Sequence, residues 1–163
     1  MDLQEFNAAP GDRLRPLLAA CCDVRRWVDA VLAGRPYGDA AELTQTADKA
    51  LRDLEATEVD RALAAHPRIG ARAEGAGTEA SWSRNEQSGV GDDPEVRAAL
   101  AAGNREYEDR FGRVFLICAT GLSAQEMLAS LQHRLTNDET TEAAVVQEEL
   151  RKIALLRLAK VVA

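Results

Sequence analysis

The chain has 163 residues, of which 46% are hydrophobic and 29% are charged. These proportions are typical of a soluble domain that can bury a hydrophobic core. The 20 Lys and Arg residues are outnumbered by 27 Asp and Glu residues, which gives a formal charge of −7. We therefore expect no nucleic-acid partner, and no membrane partner either, since no apolar run reaches the ~20 residues that span a bilayer.

The N-terminal residues carry acids early and lack the apolar segment of a secretory signal, so we expect a cytoplasmic protein. Three cysteines are present, Cys21, Cys22 and Cys118. Their odd number and the lack of a Cys-x-x-Cys pair disfavour a disulfide framework, and we expect buried, reduced thiols.

Apolar residues recur at three- and four-residue steps through the first third of the chain, which is the spacing of one helical face. This spacing predicts a first long helix over 14–32 that ends near Gly34, and a second helix over 43–54. A short third helix, capped by Thr57, is predicted to end at His66-Pro67.

Between Pro67 and Asp93 the periodicity is lost, and the chain is loosened by Gly70, Gly75, Gly77, Gly89 and Gly91. We expect a long loop over 70–91 that is interrupted by a short helical turn over 79–87. Loops of this length are often functional.

The second half begins with Asp93-Pro94-Glu95, which predicts the start of a helix that Gly112 ends. A capping box at Ser123 predicts another helix, and the last helix covers 144–158. The sequence thus predicts an all-α, single-domain helical bundle over residues 1–163, with about seven to eight helices and a short extended segment near 114–118.

Two histidines are present, and a histidine with an ordinary pKa near 6.5 can transfer a proton at neutral pH. His66 precedes Pro67 at the edge of the glycine-rich stretch, where it can face a cleft. The ordinary explanation is a helix-end histidine stabilised by the helix dipole. His133 is expected on a solvent-exposed helix face. The two lack further ligands at metal spacing, so no metal site is predicted.

A second polar group lies about twenty positions after His66. Ser83, Glu86 and Gln87 are three and four residues apart, so a helix would point them in a similar direction. Glu86 by itself has the simpler interpretation of an exposed acid. The glycine and serine patterns of hydrolases, nucleotide-binding loops and dinucleotide-binding folds are missing from the sequence. Acid–base chemistry on a small molecule is the enzymatic function that the residues favour.

Six segments, in order along nearly the whole chain, carry a family resemblance: 66–70 (His-Pro-Arg-Ile-Gly), 83–87 (Ser-Arg-Asn-Glu-Gln), 104–112 (Asn-Arg-Glu-Tyr-Glu-Asp-Arg-Phe-Gly), 115–119 (Phe-Leu-Ile-Cys-Ala), 134–139 (Arg-Leu-Thr-Asn-Asp-Glu) and 153–158 (Ile-Ala-Leu-Leu-Arg-Leu). They resemble the OHCU decarboxylase family, which acts on 2-oxo-4-hydroxy-4-carboxy-5-ureidoimidazoline (OHCU). The residues after His66-Pro67 depart from the Asp-Leu-Ala-Gly form of other members.

The resemblance implies an all-helical carboxy-lyase, usually a homodimer, that converts OHCU to (S)-allantoin without a cofactor in the last step of urate degradation. It implies two catalytic residues: His66 as the acid/base, and Glu86 as a partner that hydrogen-bonds the substrate or orients its polar groups. The substrate-binding residues that it implies are Pro67, Ser83, Arg84, Asn85, Glu86, Gln87, Phe115, Leu116, Ile117, Cys118, Ala119 and Arg157.

The chemistry agrees with those roles. Loss of CO₂ leaves electrons on the ring, so the site must stabilise negative charge and deliver a proton to one face. Arg157 offers a permanent planar cation for an anion or carbonyl, although alone it could be a last-turn arginine favoured by the helix dipole. Two alternatives stay open. One is a catalytically silent helical module that binds a ureide or purine-derived ligand, and the other is an acid–base lyase or isomerase that releases no CO₂.

Overall fold

The computed structural model describes residues 1–71 and 75–163, and these residues form nine α-helices, one 3₁₀ turn and no β-strand. The predicted all-α class is therefore confirmed. The helices are α1 (Leu3–Ala8), α2 (Gly11–Cys21), α3 (Arg25–Ala33), α4 (Ala40–Arg52), α5 (Ala56–Leu63), α6 (Thr78–Glu86), α7 (Pro94–Phe111), α8 (Ala124–Arg134) and α9 (Glu139–Val161), and the 3₁₀ turn is Ser88–Val90.

The helices group into two compact units. The first unit comprises Met1–Ala62 and Leu150–Ala163, and the second comprises Leu63–Glu149. Helices α5 and α9 contribute residues to both units. The expectation of one domain over 1–163 stays a prediction.

In the first unit, α3 packs against α4. The indole Nε1 of the buried Trp27 donates to the carbonyl oxygen of Ala47 on α4 at 3.1 Å. The phenol of Tyr37, which follows α3, donates to the carbonyl oxygen of Val31 at 2.6 Å. Each ring thus buries its apolar area while its polar group is paired, which stabilises the contact between the two helices.

The predicted first long helix is wrong, because the chain forms α2 and α3 with a break between them. Cys22 and Val24 are both extended, with φ of −154° and −126°. The apolar spacing does not indicate this break, because Cys21, Val24 and Val28 are three and four residues apart in the sequence whether or not the helix is continuous.

The cap of the third helix is also misplaced. The carbonyl oxygen of Glu55 accepts the amide of Val59 at 3.0 Å, and the Glu58 carboxylate accepts the amide of Glu55 at 2.9 Å. Thr57 therefore lies inside α5 and does not cap it. The main-chain bond and the Glu58 carboxylate pair amides at the start of α5 that would otherwise lack a partner. This is the role that the sequence assigned to Thr57.

The expected burial of all three cysteines is confirmed for Cys21 and Cys22 but not for Cys118. Cys21 and Cys22 are buried and are not disulfide-bonded, and burial raises the pKa of Cys22 to about 12. A thiol with such a pKa stays protonated and unreactive near neutral pH. Cys118 is half-buried and is not disulfide-bonded.

In the second unit, α7 packs against α8, and both helices have the predicted ends. The side chain of Asp93 caps α7 with Pro94 in its first turn, and Gly112 ends the helix with a φ of 68°, a left-handed conformation that favours glycine. Ser123 and Glu126 form the predicted capping box of α8. The long loop expected over 70–91 is interrupted by α6, which has the nine residues of the predicted helical turn over 79–87 but begins one residue earlier. Residues 72–74 of this predicted loop lie outside the described residues.

Candidate active site

His66 lies three residues after Leu63, the last residue of α5, and its amide donates to the carbonyl oxygen of Leu63 at 3.0 Å. Pro67 follows, and proline disfavours a helical conformation in the residue before it. His66 and Pro67 are both half-buried. His66 thus lies between the end of α5 and the next turn, and α5 ends three residues before the predicted helix end at His66-Pro67.

The turn after Pro67 is a tight one. The amide of Ala71 donates to the carbonyl oxygen of Arg68 at 3.0 Å, and Gly70 at the third position has a φ of 89°. A turn with this conformation at its third residue favours glycine, because a side chain there would be strained. Gly70 therefore supplies the conformation that brings the chain after His66 back on itself.

The side-chain amide of Gln87 holds this turn from the end of α6. Its Oε1 accepts the amide of Gly70 at 2.9 Å, and its Nε2 donates to the carbonyl oxygen of Arg68 at 3.4 Å. Gln87 was predicted to contact the substrate, and the structure shows both ends of its amide engaged with the main chain. Its role in binding substrate stays a prediction.

Helix α7 supplies two more bonds to the same turn. Asn104 Nδ2 donates to the carbonyl oxygen of Ile69 at 2.8 Å. Arg97 Nη2 donates to the carbonyl oxygen of Gly70 at 2.8 Å. The three successive carbonyl oxygens of Arg68, Ile69 and Gly70 thus each accept from a different side chain. We call this arrangement, formed by Gln87, Arg97 and Asn104 on residues 68–70, the turn clamp.

An ion pair lies beside the turn clamp. The Arg68 guanidinium donates to both carboxylate oxygens of Glu108, at 2.5 and 3.0 Å, and lowers the pKa of that carboxyl. The Arg68 side chain is largely exposed, so the pair is expected to contribute little to the free energy of unfolding. Its effect is to direct the Arg68 side chain towards α7.

A cleft of about 470 Å³ adjoins the turn and α6. Four predicted site residues line it, namely Ser83, Arg84, Asn85 and Gln87. Ser83 is buried, whereas Asn85 is exposed. Neither His66 nor Glu86 is among the described residues that line this cleft, although both are half-buried. The structure thus gathers four of the five residues of the 83–87 motif at one cleft, and places His66 two residues before the turn that borders it.

Residues 114–119 form neither helix nor strand, in agreement with the predicted extended segment. Phe115, Leu116, Ile117 and Ala119 are buried, and Cys118 is half-buried. An irregular buried segment needs partners for its main-chain polar groups. Side chains supply two of these partners. Arg134 Nη1 donates to the Leu116 carbonyl oxygen at 2.6 Å, and a carboxylate oxygen of Glu149 accepts a hydrogen bond from the Cys118 amide at 3.4 Å.

The Arg134 side chain is itself held in a buried polar cluster. Its Nε donates to Glu142 at 2.8 Å, and the same carboxylate accepts from the Tyr107 hydroxyl at 2.6 Å and from Asn137 at 3.0 Å. Burial alone would raise the pKa of Glu142, but these three hydrogen-bond donors outweigh it and the pKa is lowered. Burial and the bond to Glu142 raise the pKa of Tyr107 to about 12. Glu142 is therefore ionised and Tyr107 is protonated at neutral pH.

Arg157 belongs to the first unit, on α9. Its side chain is 1% exposed, and its Nη1 donates to the carbonyl oxygen of Ala20 at 2.8 Å. It is therefore a buried arginine and not a solvated residue of the last helical turn. Its predicted contact with the substrate stays a prediction.

Sequence reasoning did not identify the roles of Arg97 and Asn104. For Asn104 a signal was present: it is spaced four residues from Leu100 and three from Tyr107, which places a polar side chain on the apolar face of α7. A polar residue on such a face must find a buried partner. For Arg97 the sequence offers no comparable signal. His133, the other histidine, is exposed as expected.

Among residues 1–71 and 75–163, no helix combines the length and apolar character needed to cross a bilayer. Over the same residues, no group of three or more His, Cys, Asp or Glu side chains is arranged to hold a metal ion.

Comparison with known proteins identifies the family. A family model described as OHCU decarboxylase matches residues 7–159. The OHCU decarboxylase of Amia calva is 30% identical over 136 residues, which is 82% of this chain and 78% of that protein. The enzyme of Haloferax volcanii is 27% identical and covers 98% of this chain and 95% of its own. A crystal structure of OHCU decarboxylase in the presence of (S)-allantoin superposes with a TM-score of 0.78 at 26% identity, covering 94% of this chain and 99% of that one. The chain belongs to the OHCU decarboxylase family.

Proposed function

We propose that this protein, a carboxy-lyase by family, decarboxylates OHCU to (S)-allantoin in urate degradation with His66 as its acid/base. The observation that carries the assignment of His66 is the turn clamp, because it fixes the main chain directly after this histidine. General acid–base catalysis needs the proton donor within hydrogen-bond reach of one atom of the substrate. A held turn provides that fixed position.

The reaction can be written with these residues. The bond from the ring carbon to the carboxylate breaks, CO₂ leaves, and the bonding electron pair stays on the ring system. The proton of the ring hydroxyl passes through water to the ring nitrogen as the hydroxyl oxygen becomes the carbonyl of the product. The protonated His66 ring delivers a proton to one face of the carbon that bears the ureido group, and water returns a proton to the histidine. Protonation from one side by a fixed donor gives one enantiomer, whereas bulk water protonates both faces.

Glu86 is proposed to orient the polar groups of the substrate. It lies three residues from Ser83 on α6, so the two share a helical face. The buried hydroxyl of Ser83 can donate to or accept from the ureido group. Pro67, Arg84, Asn85 and Gln87 complete the proposed contacts.

The main chain of Phe115, Leu116, Ile117, Cys118 and Ala119 is proposed to line the substrate pocket. The bonds that Arg134 and Glu149 make to this segment support the proposal, because they fix an irregular main chain in one conformation. Arg157 is proposed to hold an anionic or carbonyl group of the substrate, since a guanidinium matches the geometry of both. We also propose that the protein is cytoplasmic and forms a homodimer; sedimentation of the purified protein tests its oligomeric state.

The reaction itself is tested with OHCU generated in the cuvette. The appearance of (S)-allantoin by circular dichroism and the release of CO₂ are followed with and without the protein. We expect both signals to appear together and faster than in buffer, where the product is racemic. Product without CO₂ would favour a different lyase or isomerase, and binding of allantoin without any acceleration would favour a silent binding module.

A further inference from the structure

The three side chains of the turn clamp differ in their exposure to water. Asn104 is 4% exposed, whereas Gln87 is half-buried and Arg97 is exposed. Water competes with an exposed hydrogen bond but not with a buried one. The 2.8 Å bond from Asn104 Nδ2 to the Ile69 carbonyl oxygen is therefore the bond of the clamp that is hardest to replace.

Oδ1, the other polar atom of the Asn104 side chain, makes no comparable hydrogen bond to the described residues. Asn104 Oδ1 is buried and has no hydrogen-bond partner among residues 1–71 and 75–163. Burying an unpaired carbonyl oxygen destabilises the folded state, while the bond to Ile69 stabilises it. The two effects are of similar size and opposite sign, so stability alone does not explain an asparagine at this position of α7.

We infer that Asn104 is a positioning residue for His66, and this inference rests on the proposed function. By fixing the direction of the Ile69 carbonyl, Asn104 holds the turn that begins at Arg68. Pro67 connects this turn to His66 and has a restricted φ, so a displacement of the turn is transmitted to the histidine. Asn104 touches no reacting atom in this account and acts through the main chain.

The test replaces Asn104 by leucine, which has a similar shape and no polar atoms. We expect kcat to fall about 10- to 100-fold, because a misplacement of about 1 Å can cost this much, with KM within about twofold of wild type. Asn104→Asp, which keeps the size but exchanges the donor for an acceptor, is the second variant and should change kcat in the same direction.

Tyr37→Phe is the matched control. This substitution also deletes one buried side-chain hydrogen bond to a carbonyl oxygen, here the bond to Val31. Tyr37 lies in the first unit and is not a residue of the proposed site. We expect it to keep the wild-type kcat even where its melting temperature falls. Equal kcat values for wild type, Asn104→Leu and Asn104→Asp would overturn the inference, because Asn104 would then have only a structural role.

A second readout does not depend on activity. The protein contains two histidines, so the ring signals of His66 and His133 can be assigned in an NMR spectrum with a His133→Asn variant. We expect Asn104→Leu to shift the His66 signal and to leave that of His133 unchanged. A wild-type protein that does not decarboxylate OHCU would contradict the proposed function, and an unshifted His66 signal would independently contradict the positioning role.

Discussion

Arg134 Nη1 lies 2.6 Å from the carbonyl oxygen of Leu116, so a side chain of α8 holds the main chain of the buried 114–119 segment. The same guanidinium lies 4.4 Å from the centre of the Phe115 ring, and its charge is balanced by Glu142. A segment without regular structure is thus fixed by one arginine through a hydrogen bond and a ring contact. The pocket lining that we propose depends on this buried ion pair.

Replacement of Glu142 by glutamine should destabilise the protein by about 3–5 kcal/mol, because it leaves the Arg134 charge buried without its counter-ion. The pKa of Glu142 is lowered in the folded protein. Its contribution is therefore present above the ordinary carboxyl pKa of 4.5 and is lost as the pH falls further. Urea denaturation at several pH values should show a smaller acid-induced loss of stability in the variant.

Asp29→Asn is the matched control, since Asp29 pairs with Arg15 at 2.7 Å and the two side chains are 45% and 48% exposed. Exposed pairs contribute at most about 1 kcal/mol, so this variant should remain close to wild type. Equal losses of stability in the two variants would contradict the importance assigned to the buried pair.

Replacement of Gln87 by methionine should lower kcat more than it raises KM. Methionine has a similar length but can hold neither the Gly70 amide nor the Arg68 carbonyl, so the turn after His66 loses two of its bonds. Steady-state kinetics with OHCU measures both constants. Gln132→Met, an exposed substitution on α8, should leave them unchanged. A rise in KM with unchanged kcat would show instead that Gln87 mainly binds the substrate.

Replacement of Gly89 by alanine should lower the melting temperature and cost about 1–3 kcal/mol or more. A Cβ atom at Gly89 would lie 1.9 Å from the Leu122 carbonyl oxygen, and main chain cannot move aside as a side chain can. Gly11→Ala is the control, because the space there is open. A stable Gly89→Ala variant would show that the turn after Gln87 can move without cost.

The parts of this fold that were predictable depend on residues close in sequence. Asp93 and Pro94 begin α7, Gly112 ends it, and the Ser123 capping box begins α8, since each signal acts within one helical turn. The break between α2 and α3 was not predictable, because the apolar spacing continues through extended residues.

The turn clamp shows why the site was predicted only in part. The sequence placed His66 at a helix end and Gln87 in the separate 83–87 motif, but the bond between Gln87 and Gly70 joins residues seventeen positions apart. The bond between Asn104 and Ile69 joins residues thirty-five positions apart. Such pairs depend on how α6 and α7 pack around the turn, which local spacing does not determine.

The proton transfer by His66 is tested most directly by the His66→Asn variant, with circular dichroism following (S)-allantoin from OHCU generated in the cuvette. Asparagine keeps a hydrogen-bonding side chain but cannot act as an acid/base near neutral pH. We predict a rate lower by about 10²- to 10⁴-fold, with the helical spectrum retained. A loss smaller than about tenfold, with the (S) enantiomer still formed, would contradict the assignment of His66 as the proton donor.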